Sequence, residues 1–455
     1  MLFPAPRRAE PARQQSCTRA RDRLALKVYN TIMPTHRLAH ADRQALSALE
    51  TALGRPIPPL ARVTAGTFGY TVRDFRISRL GLHAAGLACL PDEIGSLDAL
   101  ALLDLSSNEL ACLPEAVGNL RACELLDLSQ NHLNQLPESI GNLKALARLD
   151  LRDNQLVALP KSTGHLSALR ELYLYRNRIS HLPESLGMLG QLTRLDLEHN
   201  QLVELPQGLA ACRMLEKLWG GHNALSSLPE GIGALSALQE LYLNDNRLGR
   251  LPESFGQLGS LAVLNLKSNA LDELPGSFGA LSRLAELNLW YNRLSVLPES
   301  FWALHALREL NLRSNALTTL PESIGRLACL EKLYLDDNQL VDLPDALAGL
   351  ARLRALKLSS NRLASLPGSL GSLPALETLW LQGNRLASIP GCILELPSLT
   401  HLDVSMNRLT EIPTDIVKMK SLKSLRVERN GIAALPSTQE YALQTLRARG
   451  CEIVR

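Results

Sequence analysis

The chain has 455 residues, of which 46% are apolar and 20% charged, with a formal net charge of +3. That balance is ordinary for a folded protein in water. It excludes a strongly basic nucleic-acid binder, and no run of about 18 apolar residues is present to cross a membrane. The charge is unevenly spread, because residues 1–60 hold ten Arg or Lys against four Asp or Glu and leave the remainder at −3.

Residues 1–40 read as a flexible basic tail, with Arg7, Arg8, Arg13, Arg19, Arg21 and Arg23 among Pro and Gln. No apolar core of about 7 to 15 residues is present after it, so the tail is not a secretory signal. An export signal of the compositional kind carried by bacterial effectors stays open. Residues 41–76 are expected to form an N-terminal cap. Asp42 has the chemistry of a helix N-cap, Ala45, Leu46, Leu49, Ala52 and Leu53 form an apolar stripe, and Gly54 is a natural stop. From Val63 to Leu82 the period changes to two, with Phe68, Tyr70 and Val72 alternating, which predicts a strand pair leading into residue 77 and beyond.

From residue 77 to 436 the chain repeats every 23 residues, giving sixteen turns. The marker is an asparagine, recurring from Asn108 to Asn430 without a slip, with a proline six residues later from Pro91 to Pro436. In the turn LYLDDNQLVDLP, Leu333 and Leu335 point to one side of a short strand while Tyr334 and Asp336 point to the other. Coils laid side by side then pair their strands in parallel. Each asparagine is expected to turn the chain inward and to satisfy leftover backbone groups, and each proline to open a short helix or 3-10 turn on the return path. At the far end, residues 437–455, Ser437 and Glu440 form a capping box. Tyr441, Leu443 and Leu446 supply a helix, closed by Gly450, that covers the last coil. With 19 residues after Pro436, no catalytic domain is expected there.

The spacing LxxLxLxxNxL is that of the leucine-rich-repeat family, which this chain resembles over most of its length. The 23-residue form with LPxxIGxL is similar to the intracellular Ras-group proteins and their bacterial counterparts, including repeat-only effectors. The resemblance implies an α/β solenoid curved as a horseshoe, with a parallel β-sheet on the concave face and short helices or 3-10 turns on the convex face. It also implies a non-catalytic scaffold for protein–protein interaction, monomeric and cytoplasmic, in signalling or, alternatively, secreted as an effector. Some repeat-bearing effectors transfer ubiquitin, but through a separate catalytic domain that is not expected here.

With the leucines committed to the core, recognition falls to residues the strands hold outward. At the position between paired leucines stand Tyr173, Trp219, Tyr242, Tyr334, Lys357 and Trp380, and two residues further on Tyr175, Lys267, Trp290 and Arg313. Tyr291 flanks them. Tyr173, Tyr175, Trp219, Tyr242, Trp290, Tyr291, Arg313, Tyr334 and Trp380 are therefore the candidate partner-binding residues, since aromatics and arginine anchor interfaces. Aromatics on open strands also stiffen a sheet by packing sideways. Asp104, Asp127 and Asp150 form an acidic ladder that reads as family filler before it reads as a ligand site. Gly220 stands where other coils have leucine or valine, either as a packing defect or as a place of close approach.

The eight cysteines show no CxxC pair. Cys123 and Cys212 replace core leucines and read as buried thiols in a reducing compartment, while Cys89 and Cys112 share a repeat position on adjacent coils and leave a bridge open. No phosphate loop, HExxH zinc motif or GxSxG elbow is present, His199 and His222 have no third ligand at metal spacing, and Cys451 is one residue too early for a prenylation box. No enzyme, cofactor or metal is expected.

Overall fold

The computed structural model describes residues 38–432 and 435–455, so most of the expected basic tail lies outside the described residues. The chain forms two compact units that meet in sequence at Arg178 and Ile179. The first unit opens with helix α1 (His40–Leu53), ended by Gly54 at φ 63°. The predicted strand pair comes next as an antiparallel hairpin, β1 (Phe68–Arg73) and β2 (Arg76–Leu82), in the register Tyr70 opposite Leu80. Asp74 and Phe75, both at positive φ, turn it. Strand β2 then pairs in parallel with β3 (Leu102–Asp104), and β4 (Leu125–Asp127), β5 (Arg148–Asp150) and β6 (Glu171–Tyr173) continue the sheet.

The second unit repeats this pattern from β7 (Arg194–Asp196) and β8 (Lys217–Trp219) to β17 (Ser424–Arg426). Leucine lies beside leucine at each step, as in Leu287 with Leu310 and Leu310 with Leu333. Each coil returns through a 3-10 segment such as Glu322–Arg326, except where a short helix α2 (Gly391–Leu394) takes its place. The leucine columns are almost wholly buried, and behind them Phe255, Phe278 and Phe301 stack at 6.1 and 5.8 Å, with Trp302 edge-on to Phe301. This is the expected class of α/β repeat solenoid.

The asparagine ladder is built as the spacing predicts. Asn338 Oδ1 accepts from the Leu317 amide at 3.0 Å, and its Nδ2 donates to the carbonyls of Leu312 and Leu335 at 2.9 and 3.1 Å. Leu312 and Leu317 belong to the previous coil, so one buried side chain ties two coils together. The inward turn, however, is made by the residue before the asparagine. From Ser107 to Arg429 that residue has φ between 51° and 70°, and only Gly383 among them is glycine. The proline also sits one step earlier than expected. Pro321 is extended at φ −80° and ψ 161° and precedes the 3-10 turn as its N-cap, because proline restricts the residue before it and leaves its own ψ free.

Both ends depart from their local signatures. Asp42 does not cap α1, whose N-cap is Ala39. It lies inside the first turn, fully buried, and its carboxylate accepts from Arg76 Nε at 2.9 Å and from the Ile77 amide. This helix is therefore tied to β2 by charge as well as by Ala45, Leu46 and Leu49, while Ala52 of the expected stripe is exposed. Helix α3 (Ser437–Ala448) is capped by Pro436 without a side-chain bond, so Ser437 and Glu440 make no capping box. Glu440 instead receives Arg455 Nη1 at 2.8 Å, and Tyr441 of the expected buried face is exposed while Leu443 and Leu446 pack inward. The expected C-terminal tail is a strand, Glu452–Val454, parallel to β17 with Leu425 opposite Ile453, which closes the last coil's open edge. Cys89 and Cys112 remain free, exposed thiols without a bridge.

Two substitutions measure these ties. Asn338→Ala leaves the Leu317 amide unpaired, while the Leu312 and Leu335 carbonyls keep Asn315 and Asn361, and is expected to lower unfolding free energy by about 1–3 kcal/mol in a urea titration. Asp42→Ala leaves the buried Ile77 amide unpaired and Arg76 with Asp98 alone, with an expected cost of about 1–3 kcal/mol in the same measurement. A change under about 0.5 kcal/mol in either would contradict its assigned role.

Candidate protein-interaction face

In each unit the sheet has one face on the leucines and one open. Strand alternation sends the first and third residues of every strand, and the residue two beyond, to the open face. None of the nine candidate residues belongs to the buried core, and eight are half-buried, Tyr291 being 65% exposed at its left-handed turn.

In the first unit the face is internally bonded. Arg148 and Arg152 lie over the Tyr173 ring at 4.7 and 5.4 Å, and Arg176 lies over Tyr175 at 5.1 Å. Both arginines at Tyr173 also grip Asp150, which is fully buried, with Arg152 Nη2 at 2.6 Å and Arg148 Nη2 at 3.2 Å. Asp104 accepts from the Gly66 amide at 2.8 Å and from Ser106, joining the cap to the first coil. Asp127 accepts from Ser129, and burial raises its pKa against those bonds, with Asp150 and Asp104 adding a smaller push. The acidic ladder is thus absorbed by structural bonds, as its reading as filler implies.

In the second unit the open face carries Trp219, Tyr242, Trp290, Tyr334 and Trp380 with cations between them. Lys267 Nζ and Arg313 lie over the Trp290 ring at 4.7 and 5.1 Å, and Trp290 Nε1 donates to Ser314 Oγ at 3.3 Å. Arg313 also pairs with Asp337 at 3.0 Å. Lys357 Nζ sits 3.9 Å from the Trp380 ring and 4.9 Å from Tyr334, and burial lowers its pKa while Asp336 opposes the shift. The Asp336 carboxyl is itself raised, by burial first. These stacks arise from the 23-residue step, since Lys357 is paired in register with Tyr334 on one side and Trp380 on the other. The cations Arg148, Arg152, Lys267 and Lys357 were not among the candidate residues, yet each stands one coil from an aromatic at the same or a neighbouring open-face position, and that offset was the available signal.

The coil at Trp219 has neither a core leucine nor an outward side chain, with Gly220 and Gly221 in those places. Neither glycine has a left-handed φ. A Cβ at Gly220 would meet only the Leu243 methyl at 3.1 Å before anything else closer than 3.9 Å, so the missing side chain is met by a neighbouring leucine, which favours the packing-defect reading there. Beside it, His199 and His222 stack at 4.2 Å, and His222 Nε2 lies 3.5 Å from Asp245. No group of three or more metal-ligating side chains gathers among the described residues.

These coils match the Leucine rich repeat family model over residues 144–202, 214–271, 236–294, 260–317, 282–340 and 330–386, and a second Leucine Rich Repeat model over 123–143 and 398–419. The chain belongs to the leucine-rich-repeat family. Among solved structures it is similar to a leucine-rich-repeat protein of Leptospira interrogans, 32% identical with a TM-score of 0.66 over 83% of this chain and 95% of that one. It is 31% identical, TM-score 0.63, to the ectodomain of a membrane receptor kinase from Arabidopsis thaliana solved in complex with Casparian Strip Integrity Factor 2, over 80% of this chain and 49% of that one. A plant peptide hormone receptor in complex with RGF2 is 26% identical, TM-score 0.61, over 84% and 70%. No curated protein matches the chain. No helix among the described residues is long and apolar enough to cross a membrane.

Thiol chemistry separates the exposed from the core cysteines. Burial pushes the Cys123 thiol up to about 12 and Cys212 up to about 11. Iodoacetamide at pH 8 on the native chain is expected to alkylate Cys89 and Cys112 and to reach Cys123 and Cys212 only after denaturation, as read by peptide mass spectrometry.

Proposed function

We propose that this chain is a non-catalytic scaffold that binds a protein partner on the open face of the second unit, through Trp219, Tyr242, Trp290, Tyr291, Arg313, Tyr334 and Trp380. The observation that carries the reading is the position of these side chains. They are large and mostly half-buried, stand outside the leucine core, and are interleaved with cations, the composition of a recognition surface. Tyr173 and Tyr175 form a smaller patch of the same kind in the first unit. The two plant receptors it resembles were solved in complex with Casparian Strip Integrity Factor 2 and with RGF2, which supports a polypeptide partner here.

The scaffold acts as a monomer in signalling, in the cytoplasm, a setting supported by free thiols at Cys89, Cys112 and Cys329. The alternative is the same binding mode in a secreted effector, supported by the basic N-terminal composition; the two readings share the binding face. The test is capture from native lysate with mass spectrometry. Trp219→Ala, Tyr242→Ala and Trp290→Ala together are expected to weaken capture by at least about 100-fold while leaving the circular-dichroism melt within a few degrees, since a single interface anchor is worth about 2 kcal/mol or more and such losses are not additive. Equal capture by the triple variant would remove the proposal.

A further inference from the structure

Most aromatic rings on the open faces already hold a cation from this chain, as at Tyr173, Trp290, Tyr334 and Trp380. Trp219 and Tyr242 are different. They are register partners on adjacent strands, and among the described residues no lysine or arginine lies over either ring. The local sequence explains the gap. Two residues beyond Trp219 the chain has Gly221, where the adjacent coils have Glu198 and Asn244 and a later one has Lys267. Gly221 itself therefore sends nothing outward beside Trp219. Gly221 is not required by its backbone, and a Cβ there would meet only the movable end of Asn244, at 2.9 Å.

The charge left unpaired around this gap is negative. Glu240 is paired with Lys217 at 2.7 Å, whereas among the described residues neither Glu198 nor Glu286 makes a salt bridge, Glu286 acting on Lys332 only at longer range. Their field reaches the ring. The Tyr242 hydroxyl is held above its ordinary range by burial first and then by Glu240, Glu286 and Glu198. Two rings without a lysine or arginine of their own, a glycine beside them and two carboxylates without a salt bridge are complementary to a cation that the chain itself does not supply.

We propose that this part of the face takes a basic peptide segment, with a lysine or arginine side chain laid over Trp219 and Tyr242 beside Gly221, its charge met by Glu198 on the neighbouring coil and lying in the wider field of Glu286. The assignment rests on the binding-face reading and adds the chemistry of the partner. A desolvated cation on aromatic faces strengthens binding by about 2- to 30-fold.

The probe is fluorescein-labelled hexalysine, with its fully Nε-acetylated form as the neutral control, titrated by anisotropy against the full chain at low salt. The native protein is expected to bind hexalysine at least about tenfold tighter than the acetylated peptide. Glu198→Gln with Glu286→Gln is expected to lose about fivefold or more of that affinity, and Gly221→Lys, which supplies the cation from within, a similar factor. Glu230→Gln with Glu411→Gln, the same change of charge at exposed positions off the sheet, is expected to bind as the native chain does. No preference for hexalysine, unchanged binding by the Glu198/Glu286 variant, or an equal loss in the Glu230/Glu411 variant would each overturn the assignment. If hexalysine fails while the aromatic triple variant still loses its captured partner, the cationic assignment falls and the binding face stands; if the triple variant also captures normally, both fall.

Discussion

A single amide side chain per coil sets the terms for this molecule. Leucine burial supplies the larger energy, at about 1.5–3 kcal/mol for each side chain, but it is non-directional and tolerates shifts of a few tenths of an ångström. The asparagine does not. Asn131 reaches back to the Leu105 carbonyl and the Leu110 amide of the previous coil at 3.0 Å each, and Asn430 does the same to Val404 and Leu409. One inserted residue would break every such bond at that step and leave buried donors and acceptors open, at about 1–3 kcal/mol apiece. The uninterrupted 23-residue period is the sequence-level trace of that directional requirement, whereas the leucines alone would have allowed drift.

The same constraint decides what a reading of the sequence reaches. Periodicity reported the core, the strand register, the entry hairpin and the buried Cys123 and Cys212, because each depends on spacing that repeats. Features settled by a distant partner were not legible. Asp42 has the local chemistry of an N-cap, but its carboxylate is taken by Arg76 and Ile77, more than thirty residues away. Ser437 and Glu440 spell a capping box that Pro436 pre-empts. The left-handed column before the asparagines includes Tyr291, Met406 and Arg429, which have no composition in common, since the neighbouring coils and not the residue impose the turn. Its strain, about 1–2 kcal/mol for each non-glycine residue, is tolerated because ladder bonds on both sides hold it.

On the open faces the candidate aromatics were legible as positions freed from the core, but not their state. Stacking in register brings residues 23 apart into contact, so an aromatic one coil from a lysine or arginine becomes a closed pair. Lys357 between Tyr334 and Trp380 is the fullest case. A partner that used those rings would first have to displace an existing contact, and would gain only the difference between old and new interactions.

That difference orders the face by readiness. Trp290, Tyr334 and Trp380 are rigid and preorganised, suited to offering flat, already charged surfaces. Trp219 and Tyr242 hold no lysine or arginine of this chain, so a cation from a partner would displace none. The coil that carries Trp219 also lacks its core side chain at Gly220 and its outward one at Gly221, and so gives up burial that neighbouring coils enjoy at Leu197 and Leu243. A repeat array this regular has no packing need for such a coil. At Gly220 the neighbouring Leu243 meets the gap, so the departure that bears on recognition is the one at Gly221, beside the strand pair whose rings hold no lysine or arginine, and departures from local consistency are found where recognition, and not folding, selects the residue.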